Sequence, residues 1–160
     1  MTNYEILAAS VRALTDGEND LIANLSNVSA AIFESLEDVN WAGFYALRRD
    51  TLRGDTLVLH PFQGKPACIR IPVGKGVCGT AVALDKAQLV PDVHDFPGHI
   101  ACDSASNSEI VIPLHANGEI VGVLDIDSPT VGRFTEEDLN GLMLSAEAIE
   151  LAWERSLNKN

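Results

Sequence analysis

The sequence predicts an α+β domain, with a mostly antiparallel sheet between helices from the two ends of the chain. Apolar residues recur at helical spacing near both ends, over 3–36 and again over 134–160. Between them lie short apolar segments separated by turn sequences, two pairs of which have the pattern of antiparallel hairpins. The length of 160 residues predicts a single domain over 1–160, able to bury roughly two thirds of its unfolded surface.

Two helices are predicted before the first strand. The segment NYEILAASVRALTD carries apolar residues at helical spacing and ends at DGEND. The segment NDLIANLSNVSAAIFESLED follows and opens with two capping candidates, Asn19 and Asp20. A long amphipathic helix is predicted over FTEEDLNGLMLSAEAIELAWERSLNKN, where Thr135 and Asp138 come close to a capping box.

The last helix carries apolar residues with two alternative uses. They are Leu142, Leu144, Ile149, Leu151 and Trp153. Burial inside the monomer is one use, and a homodimer through the terminal helices is the other. We expect a homodimer.

Strands and a third short helix are predicted in the middle of the chain. VNWAGFYALRR alternates and is rich in aromatics, which predicts a strand that ends in the turn DTLRGD and pairs back with TLVLHPFQG. PACIRIPV predicts a short strand, and the glycines of GKGVCG lead into a helix through VCGTAVALDKA. Residues 91–108 predict a polar loop, and EIVIPLHANGEIVGVLDID predicts the second hairpin.

The segment GKGVCG, residues 74–79, matches the G-x-G-x-x-G pattern of dinucleotide-binding folds. Such a fold requires the following helix to cross over between parallel strands. Here a long loop and an antiparallel hairpin follow the helix. The glycines therefore predict a tight turn and no dinucleotide site.

Charge and patterning exclude several classes of function. The net charge of −12 and the sequence pI near 4.5 argue against nucleic acids and anionic membrane surfaces, whose charge would repel the chain. No apolar run approaches the ~18 residues of a membrane span. The N-terminus MTNYEILAAS has no signal-peptide pattern, so we expect a cytoplasmic protein.

Three cysteines stand at positions 68, 78 and 102. An odd number without a secretion signal argues against a structural disulfide framework, and their spacing lacks the close ligand pairs of zinc sites. His94 and His99 lie near Cys102 in the sequence and keep a zinc site open as an alternative. Cys102 itself stands in a polar run, CDSASNS, where a buried inert thiol is not expected.

The turn of the second hairpin decides which acidic side chains share a face. Asp125 and Asp127 are two residues apart and project to one face. A two-residue Asn-Gly turn would put Glu109 on the other face. A three-residue loop with His115 opposite Glu119 would instead set Glu109 across from Asp125. Only the three-residue loop leaves the other face wholly apolar, so we expect that loop and a cluster of three carboxylates.

Crowded carboxylates have a chemical meaning. Repulsion and partial burial raise the pKa of at least one, which then acts as a general acid, while the others hold a cation such as an ammonium group. A solvated polar face is the alternative; a Ca²⁺ site would need six or more oxygens. On the first strand Trp41 and Tyr45 share a face with Gly43 between them, either as core or as the wall of a small apolar pocket.

Together these motifs resemble the free methionine-R-sulfoxide reductases, stand-alone members of the GAF domain superfamily. The resemblance rests on the cysteine spacing with NWAGFY, GKGVCGTA, CDSASNSEIVIPL and GEIVGVLDIDS, and covers nearly the whole chain. It implies a GAF-like fold: a central, mostly antiparallel six-stranded sheet, with the N- and C-terminal helices packed on one face and the pocket on the other. It also implies reduction of free methionine-R-sulfoxide with thioredoxin as reductant and with no metal or organic cofactor.

The resemblance also implies the roles of individual residues. Cys102 would be the nucleophile and Cys68 the resolving cysteine, while Cys78 would assist disulfide exchange or be structural. Glu109, Asp125 and Asp127 match the acidic substrate-binding residues, and Trp41 and Tyr45 the aromatic wall of the pocket. In this scheme Glu109 would protonate the sulfoxide oxygen while the Cys102 thiolate attacks sulfur.

Other interpretations remain open at the level of sequence. A GAF module that senses a small ligand, or a thiol redox sensor without a turnover substrate, would carry many of the same residues. The nearby carboxylates should also raise the pKa of Cys102. Activation would then need a helix N-terminus, His94 or His99, or ionisation only with substrate bound.

Overall fold

The computed structural model describes residues 1–100 and 105–159. These residues form six strands in a single antiparallel sheet, with four α-helices packed around it. The helices are α1 (Tyr4–Thr15), α2 (Leu21–Ser35), α3 (Gly76–Leu84) and α4 (Glu136–Leu157). The strands are β1 (Trp41–Arg48), β2 (Thr56–Gly64), β3 (Arg70–Pro72), β4 (Gln88–Val90), β5 (Ser108–Ala116) and β6 (Glu119–Ser128). The predicted α+β class is confirmed.

The strand order in the sheet is β3-β2-β1-β6-β5-β4, with every paired neighbour antiparallel. The two predicted hairpins are thus present, and β1 and β6 join them at the centre. The sixth strand, β4, was not located from the sequence, because three residues are too short to show alternation. A short 3₁₀ turn over Val93–Asp95, within the predicted loop, also went unpredicted.

Helix ends follow the predicted capping chemistry. The Asp20 side chain accepts a hydrogen bond from Ala23 N at 3.0 Å and begins α2. At α4, Thr135 and Asp138 form a reciprocal capping box, with Thr135 N donating to Asp138 Oδ2 at 2.8 Å. Among the described residues, no helix is long and apolar enough to cross a membrane.

The sheet separates two apolar clusters. On one face, α1, α2 and α4 cover the larger core, as predicted for the terminal helices. Leu142, Ile149 and Trp153 of α4 are buried there, so they serve the monomer, whereas Leu151 stays exposed. On the other face α3 and the neighbouring loops cover a smaller cluster that includes Trp41 and Tyr45.

The glycines of residues 74–79 form the predicted tight turn. Gly74 and Gly76 have positive φ angles of 89° and 61°, and Gly74 N donates to the carbonyl of Gly79 at 2.8 Å. A Cβ at Gly79 would come within 2.5 Å of the Pro72 carbonyl, so close packing requires glycine there. In the chain, β3 precedes α3 and β4 follows it. These two strands lie at opposite edges of an antiparallel sheet, whereas a dinucleotide fold would have parallel strands there.

The turn of the β5–β6 hairpin differs from the predicted one. Ala116 pairs with Glu119, and Asn117-Gly118 closes the hairpin with φ angles of 52° and 79°. The three-residue loop with His115 opposite Glu119 is therefore wrong. Two residues with positive φ form a turn whose twist matches that of the strands, and this geometry prevails here.

A β-bulge follows that turn. Leu114 lies opposite Gly122 but His115 lies opposite Ile120, so Val121 is an extra residue in β6. The extra residue exchanges the two neighbouring side chains between faces: Val121 packs towards the terminal helices and Ile120 towards the smaller cluster. The bulge therefore keeps an apolar face towards the helices without the three-residue loop that we expected.

The bulge also decides how the carboxylates pair. Glu109 lies opposite Asp127, and Asp125 lies opposite Val111, so the predicted pairing of Glu109 with Asp125 is wrong. The turn and the bulge together shift the register by two residues relative to the prediction. A shift of two preserves the faces, so the predicted sharing of one face by Glu109, Asp125 and Asp127 is confirmed.

Candidate active site

A pocket opens on the sheet face opposite the terminal helices. Its floor consists of β1, β5 and β6, and its sides are the first turn of α3 and the segments around Ala67 and Ile100. The three clustered carboxylates and both predicted aromatic residues line it. The pocket therefore brings together six of the predicted site residues: Trp41, Tyr45, Cys78, Glu109, Asp125 and Asp127.

The acidic side chains come from the adjoining ends of two central strands. Glu109 stands at the start of β5, and Asp125 and Asp127 stand near the end of β6. Glu109 and Asp125 are only 7% and 6% exposed, while Asp127 is half-buried. Burial of two carboxylates this close together is unusual in a stable core and marks the pocket as a site for chemistry.

Cys78 completes the buried cluster from the first turn of α3. Its thiol donates a long hydrogen bond, 3.9 Å from Sγ to Glu109 Oε1. One ligand atom from each of Cys78, Glu109 and Asp125 lies within 4.8 Å of the other two. Cys78 is a free thiol. Among the described residues, these three form the cluster whose ligand atoms lie close enough together to hold a metal ion.

Burial sets the protonation of this cluster. Burial, with the charges of Asp125 and Asp127, raises the pKa of Glu109 well above its usual value. Burial also raises the pKa of Asp125 to about 6, and the pKa of the Cys78 thiol well above its usual range. The cluster therefore keeps protons to a higher pH than exposed carboxyl and thiol groups do.

Lys and Arg are absent from the described wall of the pocket, and its histidine, His99, has a pKa that burial lowers. Asp125 Oδ1 is buried and has no hydrogen-bond partner among the described residues. A buried carboxylate oxygen without a partner is costly, and a bound cation would satisfy it. The pocket is therefore complementary to a cationic group.

Aromatic rings form the apolar wall. Trp41 stacks on Tyr45 with 6.0 Å between ring centroids and on Phe62 with 5.1 Å. The polar atoms of the wall bind the neighbouring segment: Trp41 Nε1 donates to the Lys65 carbonyl at 3.1 Å, and the Tyr45 hydroxyl to the Cys68 carbonyl at 2.8 Å. The wall residues thus hold the segment that carries Cys68.

Phe62 supports the aromatic wall by stacking on Trp41, and it was not predicted from the sequence. It lies opposite Gly43 in the β1–β2 ladder, and a Cβ at Gly43 would come within 2.3 Å of Phe62 Cβ. Gly43 also lies opposite Asp125 in the β1–β6 ladder. The glycine between Trp41 and Tyr45, together with the predicted hairpin pairing, was the signal that could have placed an aromatic side chain there.

Other predicted residues have different placements. Cys68 is half-buried just before β3 and packs against the cluster that lines the pocket. Cys102 and its neighbour Asp103 lie outside the described residues. His94 is exposed and pairs with Asp92 at 2.7 Å, whereas His99 lines the pocket, where burial and then His94 lower its pKa.

Positive potential reaches the pocket from α3. The first turn of this helix, Gly76, Val77 and Cys78, lines the pocket, and Lys75 at its N-cap makes no side-chain capping hydrogen bond. Helix N-termini carry partial positive charge and favour anions within the first turn. Since burial lowers the pKa of His99, the helix end is a source of positive potential that does not depend on protonation of this histidine.

The chain is similar to known proteins in sequence and in fold. The family model of the GAF domain matches residues 23–154. The chain is 59% identical, over 139 residues, to the free methionine-R-sulfoxide reductase of Escherichia coli (strain K12), covering 87% of this chain and 81% of that protein. It is 48% identical, over 150 residues, to the enzyme of the same description from Saccharomyces cerevisiae (strain ATCC 204508 / S288c), covering 91% and 82%.

Solved structures give the same result. The free methionine-R-sulfoxide reductase from Neisseria meningitidis, solved in complex with its substrate, superposes with a TM-score of 0.89. It is 42% identical to this chain, and the match covers 96% of this chain and 90% of that one. The similarity therefore includes the sheet, the terminal helices and the strands that carry the acidic pocket.

Proposed function

The chain belongs to the GAF domain family and, within it, to the free methionine-R-sulfoxide reductases, and we propose that it reduces free L-methionine-R-sulfoxide to L-methionine. The observation that carries this proposal is the pair of buried carboxylates, Glu109 and Asp125, that line one pocket, with Asp125 Oδ1 lacking a hydrogen-bond partner among the described residues. Burial raises the pKa of both, and we take Glu109 as the proton donor and Asp125 as the ligand of the ammonium group. Reduction of an amino-acid sulfoxide needs both a proton donor and a site for an ammonium group.

The proton donor in this proposal is Glu109. Glu109 protonates the sulfoxide oxygen as the Cys102 thiolate attacks the substrate sulfur and forms an S–S bond. The protonated oxygen then moves from the substrate sulfur to the Cys102 sulfur as that S–S bond breaks, which releases methionine and leaves Cys102 as a sulfenic acid. Glu109 lines the pocket and is only 7% exposed, so its carboxyl group is largely shielded from bulk solvent.

The ammonium site consists of Asp125 and Asp127. The unpartnered Oδ1 atom of Asp125 would accept a hydrogen bond from the α-ammonium group of the substrate. A peptide-bound methionine sulfoxide has no such charge, so this contact accounts for selectivity for the free amino acid. Trp41 would pack against the apolar end of the substrate.

The cycle closes through a disulfide. The Cys68 thiol condenses with the Cys102 sulfenic acid, which releases water and forms the disulfide. A dithiol reductant of the thioredoxin type then restores both thiols by exchange. Because burial raises the pKa of Cys78, little of its thiolate is present, and we assign Cys78 no part in forming the Cys68–Cys102 disulfide. If Cys78 acts as a second resolving cysteine, its thiol must first ionise.

Two further features belong to the proposal. Repeated reduction of a disulfide requires a reducing compartment, so we place the enzyme in the cytoplasm. Exposed apolar side chains on α1 and α4, Ile6, Leu14, Met143 and Leu151, support a homodimer through these helices. Sedimentation of the wild type and of an Ile6→Lys, Leu151→Lys variant tests it: a monomeric wild type would contradict the homodimer.

A single-turnover experiment tests the reaction. Fully reduced protein is mixed with free methionine-R-sulfoxide, and released methionine and remaining thiols are counted. One methionine per chain with two thiols lost is the expected result. In Cys68→Ser the methionine should still appear, with a sulfenic acid that a dimedone probe traps.

Other outcomes would redirect the assignment. No methionine with all three thiols intact would contradict the enzyme and favour a ligand-binding GAF module. Thiols lost to peroxide without methionine release would favour a redox sensor. The S epimer and a peptide containing methionine sulfoxide are the matched substrate controls.

A further inference from the structure

We propose that Cys78, Glu109 and Asp125 also form a binding site for a divalent cation of borderline softness, such as Zn²⁺, and that this cation and the substrate exclude each other. The cation site does not rest on the proposed reaction, because it follows from the three side chains alone. It gives the pocket a second ligand class and makes the metal a reversible inhibitor.

The spacing of the three side chains fits a tetrahedral ion. In such sites Zn–S distances are about 2.3 Å and Zn–O distances about 2.0–2.2 Å, which places sulfur and oxygen ligands roughly 3.6 Å apart. Cys78 Sγ and Glu109 Oε1 are 3.9 Å apart, and an Asp125 oxygen lies within 4.8 Å of both. Small rotations of the side chains would bring all three atoms to coordination distance.

The donor set favours one class of ion. A thiolate is a soft ligand that selects Zn²⁺ over Mg²⁺ and Ca²⁺, and two carboxylates supply too few oxygens for Ca²⁺. Three protein ligands leave a fourth tetrahedral position for water, as in open zinc sites. The ligands stand on β5, β6 and the first turn of α3, so regular secondary structure fixes their backbone positions.

An independent observation points to a cation. Asp125 is only 6% exposed, and its Oδ1 atom has no hydrogen-bond partner among the described residues. The described wall of the pocket also carries no Lys or Arg that could neutralise it. A metal ion bound between the three side chains would satisfy this oxygen.

Mutual exclusion follows from shared atoms. Asp125 is proposed to bind the ammonium group of the substrate, and Glu109 to protonate its oxygen, so neither can do so while bound to a metal. Zn²⁺ should therefore raise the KM for methionine sulfoxide, and excess methionine sulfoxide should weaken metal binding.

Cobalt(II) spectroscopy tests the site directly. The variant Cys68→Ser, Cys102→Ser keeps Cys78 as its sole thiol, so a thiolate-to-cobalt charge-transfer band reports on that residue. We expect a band that saturates at one Co²⁺ per chain and disappears when Zn²⁺ is added. Adding Cys78→Ser should abolish the band.

Matched variants separate the site from adventitious binding. Glu109→Gln should weaken Co²⁺ binding by more than the roughly 10- to 100-fold lost with an outer-shell partner. Glu119→Gln, an exposed acid on the same hairpin, should leave it unchanged. If Cys78→Ser does not fold, Glu109→Gln and equilibrium dialysis of Zn²⁺ provide the same comparison.

Three results would overturn the proposal. They are no charge-transfer band, a band that survives Cys78→Ser, and equal binding by the Glu109→Gln variant. Metal binding that methionine sulfoxide does not weaken would overturn the mutual exclusion and leave the cation site standing. Failure of the reductase assay with intact cobalt binding would contradict the proposed reaction alone.

Discussion

The hydroxyl of Tyr45 donates a hydrogen bond to the backbone carbonyl of Cys68 at 2.8 Å. Tyr45 is in the central strand β1, whereas Cys68 precedes the edge strand β3, so the bond ties the wall of the pocket to the segment of the predicted resolving cysteine. Trp41 makes a parallel contact with the carbonyl of Lys65. In the proposed reaction, the same aromatic side chains would therefore link substrate binding to disulfide formation.

Tyr45→Phe should slow recycling more than the first reaction. The variant keeps the aromatic wall but leaves the Cys68 carbonyl without its donor, at a cost of about 1–3 kcal/mol. We expect a near-normal burst of methionine in the pre-steady state and a lower steady-state rate with thioredoxin. Tyr4→Phe, which loses a hydrogen bond to Asp138 away from the pocket, is the control. Equal loss of burst and steady state would contradict the link.

Glu109→Gln should remove the proton donor while keeping the size of the side chain. General acid catalysis contributes about 10²–10⁴-fold, so the rate of methionine release should fall by that factor with a smaller change in KM. In the wild type the rate should fall as pH rises through the raised pKa of Glu109. This limb should be missing from the pH profile of the variant. A profile identical to that of the wild type would assign the proton to another group.

Asp125→Asn should stabilise the protein at alkaline pH and reduce its activity. Burial raises the pKa of Asp125 from 3.8 to about 6, so the folded state binds this proton more tightly than the unfolded state. The contribution of Asp125 to the free energy of unfolding therefore falls by roughly 3 kcal/mol as pH rises from about 4 to about 6. It stays low at higher pH.

Urea denaturation at two pH values measures this effect. The Asn variant should be more stable than the wild type near pH 8 and equally stable near pH 3.5, with about 1 kcal/mol as a detectable difference. Glu119→Gln serves as the exposed control. A less stable Asn variant at pH 8 would mean that the ionised carboxylate is satisfied in the fold.

Gly43→Ala should disturb the aromatic wall. Its Cβ would lie 2.3 Å from Phe62 Cβ, so Phe62 must move away from Trp41, at a cost of about 1–3 kcal/mol in stability and with a raised KM. Gly118→Ala is the matched control, since it strains a positive φ of 79° but meets no atom within 4 Å. It should lower the melting temperature without changing KM. An unchanged KM in Gly43→Ala would separate the wall from substrate binding.

Much of the fold could be predicted because its signals are local. The Asp20 cap and the capping box of Thr135 and Asp138 act within one helical turn, and alternation located both long hairpins. The strand β4 escaped because three residues carry no period, and its pairing with β5 is a long-range contact. The Asn117-Gly118 turn was not predicted, because the apolar pattern of the strands favoured a three-residue loop. The bulge at Val121 makes a two-residue turn compatible with that pattern, and no local signal indicates it.

Alternation along the strands predicted the aromatic pair and the face shared by the acidic residues, because residues two apart on a strand share a face whatever surrounds them. The motifs along the chain predicted the family. The residues that each acidic side chain meets in space depend on long-range contacts, which no local pattern indicates. The bulge at Val121 sets Glu109 across from Asp127, and α3 brings Cys78 within 3.9 Å of Glu109 from 31 positions earlier in the chain. Protonation depends on those partners, since burial and neighbouring charge, rather than residue type, set the pKa of a carboxylate.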